Sequence, residues 1–182
     1  MSRTYRLQGF VIRRRNFAEA DRLITFFSRE KGKITLKAKG IRKLQSRRSG
    51  LLELFNEVSI LVAKGRAGDI VTEVFLDQNY QNFATDYQKT KLGYQLIELI
   101  NKLAPEEEVN EEIYELLKLA FEYLQSRELA LERCDTVLLR FNLRLLELLG
   151  FGTPPIKTLT ETTAFIENVL ERKLMSADCY DI

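Results

Sequence analysis

The spacing of the apolar residues changes once along this chain, near residue 86, and this change limits the folds open to it. Before it, apolar and polar residues alternate over short segments bounded by glycine and polar turns, which is typical of β-strands. After it, apolar residues recur at helical spacing, for example at Leu92, Leu96 and Leu99. We therefore expect a β-domain over residues 1–80 and an all-helical domain over residues 81–182.

Five strands are predicted in the first domain. Their expected ranges are residues 4–14, 21–28, 33–39, 51–62 and 70–76. Five short strands in so few residues favour a small closed or sandwiched β-domain, and the five-stranded oligonucleotide-binding (OB) barrel is one example. Small SH3-like barrels have a similar strand count, so the count alone leaves both folds open.

Four helices are predicted in the second domain. Their expected ranges are residues 86–103, 111–124, 128–149 and 160–175. Thr85 or Asp86 suits the N-cap of the first helix and Asn110 that of the second, because their side-chain oxygens accept backbone N–H groups. Gly150 suits the C-cap of the third helix.

Residues 31–51 contain eight Lys and Arg and no Asp or Glu. Because side chains alternate along a strand, Lys33, Lys37 and Lys39 share one side of the predicted third strand, while Ile34 faces the other. Lysines also protect sheet edges from aggregation, but the one-sided arrangement without any acid favours binding of a polyanion. The candidate residues for polyanion contact are Lys33, Lys37, Lys39, Arg42, Lys43, Arg47 and Arg48, with Arg13, Arg14 and Arg15 as a second patch.

The net charge of +2 hides a division between the two halves. Residues 1–80 hold 17 Lys and Arg against 8 Asp and Glu, a net +9, and residues 81–182 hold 11 against 18, a net −7. This asymmetry suggests nucleic acid as a partner of the basic half. Aromatic side chains can stack on bases, and Phe10, Phe17 and Phe55 are candidates that also suit the barrel core.

The composition excludes several chemistries. The chain has no histidine and two cysteines, which removes Ser-His and Cys-His nucleophile pairs and the usual zinc sites. We therefore expect no enzyme activity, no metal and no cofactor. No apolar run approaches the roughly 20 residues that span a bilayer, and the N-terminus lacks the apolar segment of a secretory signal. A cytoplasmic protein without a membrane partner is expected.

The third predicted helix carries a second candidate site. Arg133, Arg140 and Arg144 lie at spacings of seven and four residues, which brings them to roughly one helix face. With Val137 and Phe141 they would form a cationic rim around an apolar groove. Such a groove suits an acidic peptide that ends in an aromatic residue and a carboxylate. Pairing of these arginines with glutamates of neighbouring helices remains an equally open explanation.

A series of short motifs in the first domain is shared with one known family. The motifs lie at residues 11–15, 19–23, 25–27, 32–33, 38–43, 46–47 and 50–55. On this block the chain resembles the bacterial recombination mediator family RecO, and the acid-rich helices and residues 143–151 and 172–176 also fit. Many relatives carry a four-cysteine zinc site before the last helix. Residues 151–159 contain no cysteine, so the zinc segment is expected to be absent here.

The resemblance implies an α+β protein, with an N-terminal OB barrel followed by a C-terminal helical domain. It also implies a non-enzymatic, nucleoid-associated role in homologous-recombination repair. Members bind single- and double-stranded DNA, anneal complementary strands, and work with RecR to load RecA onto DNA coated with single-strand-binding protein. They also bind the acidic C-terminal tail of that coating protein. An RNA-binding OB module and a pure protein adaptor are the alternatives.

Overall fold

The structure is a computed structural model that describes residues 3–43, 45–46, 48–80, 86–126, 134–152 and 158–175. It divides into two compact units. The first unit contains Met1–Gln81 and Pro105–Tyr114, and the second contains Asn82–Ala104 and Glu115–Ile182. Residues 105–114 therefore group with the β-strands, although they follow the first helix in sequence.

Five strands form a closed barrel in the order β1-β2-β3-β5-β4. They are β1 Thr4–Phe17, β2 Asp21–Ser28, β3 Gly32–Ala38, β4 Asn56–Ala63 and β5 Ile70–Asn79. Neighbouring strands are antiparallel except β3 and β5, which meet in parallel where Lys37 pairs with Ile70. A closed five-stranded barrel followed by helices confirms the predicted α+β class and the OB fold.

Buried apolar side chains fill the barrel. They are Leu7, Val11, Ile24, Phe26, Ile34, Leu36, Ala38, Ile41, Leu52, Val58, Ile60, Val62 and Val71. Burying one such Leu, Ile, Val or Phe side chain contributes about 1.5–3 kcal/mol, so this core specifies which face of each strand points inward. On β3, Ile34 and Leu36 point inward as predicted, while Thr35 is exposed on the other side.

β1 contains a bulge in the middle of its pairing with β2. Val11 pairs with Phe26 and Arg13 pairs with Thr25, which leaves Ile12 as the extra residue. Because strand side chains alternate with a period of two, one extra residue exchanges the inward and outward positions that follow it.

The bulge determines the direction of the residues that end β1. Arg14 pairs with the core residue Ile24, so Arg14 belongs to the inward set beyond the bulge. Arg13, Arg15 and Phe17 then belong to the outward set, and all three are exposed. The sequence analysis ended β1 at residue 14, whereas the strand continues to Phe17.

β4 begins later than predicted from the alternation of residues 51–62. Phe55 has a left-handed backbone with φ of 69°, a conformation that does not occur within a regular strand. The Asn56 side-chain amide donates to the carbonyl oxygens of Gly50 and Leu51 at 3.2 and 2.9 Å. The segment before Asn56 is therefore a set of turns, held closed by this side chain.

Within the described residues, four helices follow the barrel in sequence. They are α1 Tyr87–Leu103, α2 Glu111–Gln125, α3 Cys134–Leu148 and α4 Leu159–Leu170. The Asp86 side chain accepts the N–H groups of Gln88 and Lys89 and caps α1. Asn110 Oδ1 accepts the N–H of Ile113 at 3.0 Å, which confirms the cap predicted for α2.

The N-terminal part predicted for α3 lies outside the described residues, which omit 127–133. From Cys134 the helix runs to Leu148, and Gly150 follows with φ of 82°, as expected of a C-terminal glycine. No helix within the described ranges is both long and apolar enough to cross a membrane.

α4 ends earlier than the predicted residue 175. Glu171 adopts a left-handed backbone with φ of 50° and closes the helix there. The start of α4 is fixed by a capping box. In it the Thr158 side chain accepts the N–H of Glu161, and the Glu161 side chain accepts the N–H of Thr158.

Candidate nucleic-acid interface and peptide groove

The outward side chains of β1, β2 and β3 beyond the bulge form one surface. Two cross-strand rows make it up, Arg13–Thr25–Thr35 and Arg15–Leu23–Lys37. Directly opposed residues in antiparallel strands project from the same face, so the two rows bring Arg13 and Arg15 beside Lys37. We call Arg13, Arg15 and Lys37 the basic face. It joins residues that the sequence analysis had assigned to two separate patches.

An open cleft of about 720 Å³ lies at the end of β3. It is lined by Ala20, Asp21, Lys39, Gly40, Lys43, Gln45, Ser46 and Arg48. Lys39 and Lys43 are exposed there. The Asp21 carboxylate accepts the backbone N–H of Gly40 at 2.7 Å, which holds the loop against the start of β2. We call this the loop cleft.

Two predicted DNA-binding arginines hold main-chain loops in place. Arg42 donates to the carbonyl oxygens of Ala18 at 3.5 Å and Glu19 at 3.0 Å, and so fixes the β1–β2 turn. Arg48 donates to the carbonyl oxygens of Val71 at 3.0 Å and Lys39 at 2.9 Å. Carbonyl oxygens carry no net charge, so both guanidinium groups still add positive potential to the surface.

Lys33 does not join the predicted lysine row in water. Its side chain is only 8% exposed, and its Nζ lies 3.5 Å from a carboxylate oxygen of Glu106. Residues 105–108 cover this end of β3, and the backbone N–H of Glu107 donates to the Lys33 carbonyl oxygen at 2.9 Å. The cover is close, because a Cβ at Gly32 would overlap the carbonyl oxygen of Glu108. The expectation of an exposed Lys33 was therefore wrong.

Arg14 also differs from its two neighbours. It points toward the barrel end and forms an ion pair with Glu53, which lies 3.4 Å from Arg22 as well. The expectation that three consecutive arginines share one patch was wrong, because a strand directs adjacent residues to opposite faces. Arg47, another candidate, lies outside the described residues.

Two cations of the β4–β5 loop, Lys64 and Arg66, are exposed and were not among the predicted site residues. The backbone N–H of Lys37 donates to the carbonyl oxygen of Asp69 at 2.8 Å, and its Nζ donates to that of Ala67. The loop therefore adjoins the basic face. Two cations within a glycine-bounded turn were the available signal, because OB barrels use this loop in binding.

Only one of the three aromatic candidates is accessible. Phe10 is fully buried and Phe55 is 4% exposed, whereas Phe17 is 43% exposed. Phe10 packs in a layer outside the barrel, with its ring centroid 5.3 Å from that of Tyr114. Lys37 Nζ lies 5.6 Å from the centroid of the Phe17 ring, which places this ring at the edge of the basic face.

The second unit contains a groove of about 650 Å³ between α2 and α3. It is lined by Leu116, Leu119, Ala120, Tyr123, Thr136, Val137, Arg140, Phe141 and Arg144. Leu119 is 61% exposed and Tyr123 is 40% exposed, so the groove presents apolar surface to solvent. Four of the five residues predicted for the peptide site thus line one groove, and Arg133 lies outside the described residues.

The groove has a cationic rim. Arg140 and Arg144 are exposed on α3, and Arg144 donates to Glu147 at 2.8 Å on the same helix. In an exposed pair of this kind, the attraction is worth only about 0.2–1 kcal/mol. A ligand carboxylate can therefore compete for Arg144.

Cys134 is a buried residue of α3. Burial, and next the nearby carboxylate of Asp86, raise the pKa of its thiol. Among the described residues, no three His, Cys, Asp or Glu side chains come together as a metal site. The geometry thus directs attention to the basic face, the loop cleft and the groove.

A closed five-stranded barrel of this strand order, followed by helices, defines the class of OB-fold proteins with a helical extension. The family model described as "Recombination protein O N terminal" matches residues 1–78, and "Recombination protein O C terminal" matches residues 84–154. The chain belongs to the RecO family.

Proteins named DNA repair protein RecO are among its relatives. The protein of Roseiflexus sp. (strain RS-1) is 33% identical over 82% of this chain and 51% of its own length. That of Symbiobacterium thermophilum is 32% identical over 81% of this chain and 57% of its own length. That of Desulfatibacillum aliphaticivorans is 36% identical over 78% of this chain and 55% of its own length. The chain spans about half the length of the curated relatives it matches.

Proposed function

We propose that this chain is a non-enzymatic mediator of DNA repair and recombination. In this role it binds single- and double-stranded DNA, anneals complementary strands and, with RecR, helps to load RecA onto DNA coated with single-strand-binding protein. Such a role belongs to a cytoplasmic, nucleoid-associated protein. The single observation that supports it best is the basic face, with Arg13, Arg15 and Lys37 on one side of the barrel and the β4–β5 loop beside Lys37.

The physical basis is charge neutralisation. A cationic surface replaces the counterions condensed on DNA, and their release favours binding without reading the sequence. Two complementary strands repel each other through their phosphates, so a surface that neutralises both lowers the barrier to annealing. The cations we assign to phosphate contact are the partly exposed Lys37 and the exposed Arg13, Arg15, Lys39, Lys43, Lys64 and Arg66. Buried Lys33 and ion-paired Arg14 are left out of this set.

A quadruple variant tests the proposal, with Arg13, Arg15, Lys39 and Lys43 replaced by alanine. Each phosphate contact adds about 0.7 to the slope of log affinity against log salt for single strands. Loss of four contacts should reduce that slope by about 2.8 and the affinity at about 0.1 M salt by several hundredfold. Fluorescence anisotropy with a labelled oligonucleotide across a salt series measures both quantities, and an annealing assay with complementary strands should slow in parallel.

A matched variant controls for net charge. Alanine at Arg6, Lys118, Arg172 and Lys173 removes the same number of cations from elsewhere on the chain. Its affinity should stay within a few-fold of the wild type. Equal losses in the two variants would show that binding follows net charge alone, and the basic face would then have no special role.

The groove between α2 and α3 supports a second part of the proposal, namely contact with the C-terminal tail of single-strand-binding protein. An acidic peptide that ends in an aromatic residue and a free carboxylate matches an apolar groove with arginines at its rim. The aromatic ring would enter beside Phe141 and Leu119, and the carboxylate would pair with Arg140 or Arg144.

Replacement of Arg140 and Arg144 by alanine should weaken binding of a labelled tail peptide by about tenfold or more, since charge-assisted hydrogen bonds contribute about 1.5–3 kcal/mol each. Alanine at Arg172, an exposed arginine outside the groove, is the control and should bind the peptide normally. A double variant that binds as tightly as the control would reject the groove as the tail site. Normal DNA binding by the same variant would separate the adaptor role from the DNA role.

Phosphate contacts do not distinguish DNA from RNA, so an RNA-binding OB module remains the alternative. Competition between ribo- and deoxyribo-oligonucleotides of one sequence separates the two. Preferential displacement by RNA would favour the alternative.

RecA filament assembly on coated single strands, measured with and without this chain and RecR, tests the loading step directly.

A further inference from the structure

We infer that Phe17 is a stacking platform for an unpaired nucleobase, which gives the basic face a preference for single strands over duplex. The inference rests on the proposed function, because it concerns how the same surface holds DNA. Cations alone cannot supply such a preference, since both forms of DNA carry phosphates. A base that is already paired has its faces covered within the duplex, whereas a single strand offers them.

The accessibility of Phe17 is the first observation. Its ring is 43% exposed at the end of β1, whereas the other two aromatic candidates are buried. Its outward direction follows from the bulge at Ile12, which also directs Arg15 outward two residues earlier. A phosphate-binding cation and an aromatic ring therefore follow each other on the same side of one strand.

The second observation is the cation beside the ring. Lys37 Nζ lies 5.6 Å from the Phe17 centroid and donates to the carbonyl oxygen of Ala67. This lysine connects the ring to the β4–β5 loop, where Lys64 and Arg66 are exposed. A base stacked on Phe17 would thus have cations near the phosphates on either side of it.

The third observation is that the turn after Phe17 is held in place. Ala18 has a left-handed backbone with φ of 53°, which is uncommon for a residue other than glycine. The guanidinium of Arg42 donates to the carbonyl oxygens of Ala18 and Glu19 and stabilises this turn. A ring on a fixed turn loses little conformational freedom when a base binds to it, which favours stacking.

The test compares the wild-type chain with Phe17→Ala, Phe17→Leu and Phe17→Trp. Base–aromatic stacking predicts that Phe17→Ala loses about tenfold in affinity for an unmodified single strand, which is about 1.4 kcal/mol. Phe17→Leu keeps the aliphatic bulk without the ring and should lose nearly as much, whereas Phe17→Trp should retain the affinity. The salt slope should not change in any of them, because no phosphate contact is removed.

Two DNA probes separate stacking from a structural effect. The first probe is a strand of abasic sites and the second is a duplex, and neither offers an unpaired base. For each probe, the affinities of the wild type and Phe17→Ala should agree within twofold. A 2-aminopurine base in the single strand should be quenched by the wild type and not by Phe17→Ala. Phe75→Ala is the matched control, since Phe75 is 58% exposed on another part of the barrel. It should bind every probe as the wild type does.

The outcomes distinguish the inference from the function beneath it. If wild type binds DNA with a salt-dependent affinity and Phe17→Ala equals it on every probe, the stacking platform is wrong and the basic face stands. Equal losses on abasic and unmodified strands would also overturn the platform, because they indicate a structural role. If wild type binds no DNA at any salt, the proposed function fails, and the inference fails with it.

Discussion

The barrel presents two outer surfaces, and the same strand, β1, contributes to both. Beyond the bulge, β1 carries the arginines of the basic face. Before the bulge, β1 pairs with β4, and β4 pairs in turn with β5, where Glu73 and Asp77 are exposed and Phe75 is 58% exposed. Asp77 accepts a hydrogen bond from Ser59 at 2.7 Å across this surface. We call Glu73, Phe75 and Asp77 the acidic face.

The contrast between the faces shows that the net charge of a domain says little about where a polyanion binds. The first half of the chain has a large excess of cations, yet one part of its barrel carries carboxylates that repel phosphate. The register of the strands, more than composition, decides which cations act together. Four predictions test this division of the barrel surface.

The largest effect is expected where β1 lies between the two surfaces. Gly9 pairs with Ser28 on β2 and with Val58 on β4. A Cβ at Gly9 would overlap the Phe27 carbonyl oxygen and approach the Ser28 Cα to 2.8 Å. Gly9→Ala should therefore cost about 3 kcal/mol or more of unfolding free energy, because backbone atoms on two strands must move apart.

Urea denaturation followed by circular dichroism measures this cost. Gly50→Ala is the control, because no atom lies within 4 Å of a Cβ at Gly50, and its stability should change by less than about 0.5 kcal/mol. A stable Gly9→Ala variant would mean that the barrel tolerates separation of β1 from β2.

Two arginines of β1 provide the sharpest test of the comparison itself. Arg15 and Arg6 are both exposed, but Arg15 lies on the basic face, whereas Arg6 lies opposite Leu61 beside the acidic face. Arg15→Glu removes one phosphate contact and adds a repulsion, so single-strand affinity at about 0.1 M salt should fall about 25-fold.

Arg6→Glu changes the net charge by the same amount and should lower the affinity less than about threefold at that salt. Anisotropy titrations of the two variants side by side give the result. Similar losses would contradict the division of the barrel into two surfaces.

A smaller effect separates two lysines of β3. Lys37→Met should weaken single-strand binding about fivefold at about 0.1 M salt, the value of one contact. Lys33→Met should leave binding within twofold, because Lys33 is covered and lies next to Glu106. The same titrations measure both variants, and a loss in Lys33→Met as large as that in Lys37→Met would show that the cover over β3 opens when DNA binds.

The smallest effect concerns the β4–β5 loop. Burial, and next the hydrogen bond that Tyr5 donates to Asp69, raise the pKa of the Tyr5 hydroxyl above its usual value of about 10. Asp69 also accepts the N–H of Gly65 at 3.2 Å. Because the folded pKa lies above the unfolded one, this stabilisation is present below about pH 10 and is lost as the pH rises further.

Tyr5→Phe removes the hydroxyl, so its unfolding free energy should be lower than that of the wild type at pH 8, and the gap should narrow above about pH 10. Denaturation at a series of alkaline pH values measures the gap. A gap that widens above pH 10 would contradict the assignment.

Local sequence patterns predicted much of this fold. Periodicity and side-chain chemistry predicted the five strands and four helices of the described residues, the caps at Asp86 and Asn110, and the glycine after α3. The groove residues Val137, Phe141 and Arg140 were also brought together by helical spacing alone. These features depend on residues close in sequence, which is why one sequence suffices to find them.

Features that depend on distant residues were not predicted. The cover over Lys33 comes from residue 106, and nothing near Lys33 in sequence indicates it. Two element ends were missed for a local reason. β4 starts late because Phe55 has a left-handed backbone, and α4 ends early because Glu171 has one. Neither residue type favours this conformation. The bulge at Ile12 has no sequence signature, so the sequence could not show that Arg13 and Arg15 point outward and Arg14 inward.

The extra residue at Ile12 also sets a limit on how this chain can diverge. If Ile12 instead paired regularly, opposite Thr25, then Arg13 would lie opposite Ile24, Arg15 and Phe17 would turn toward the barrel interior, and Arg14 would face solvent. A sequence change that keeps the charge and composition of β1 but removes the bulge would therefore abolish the basic face.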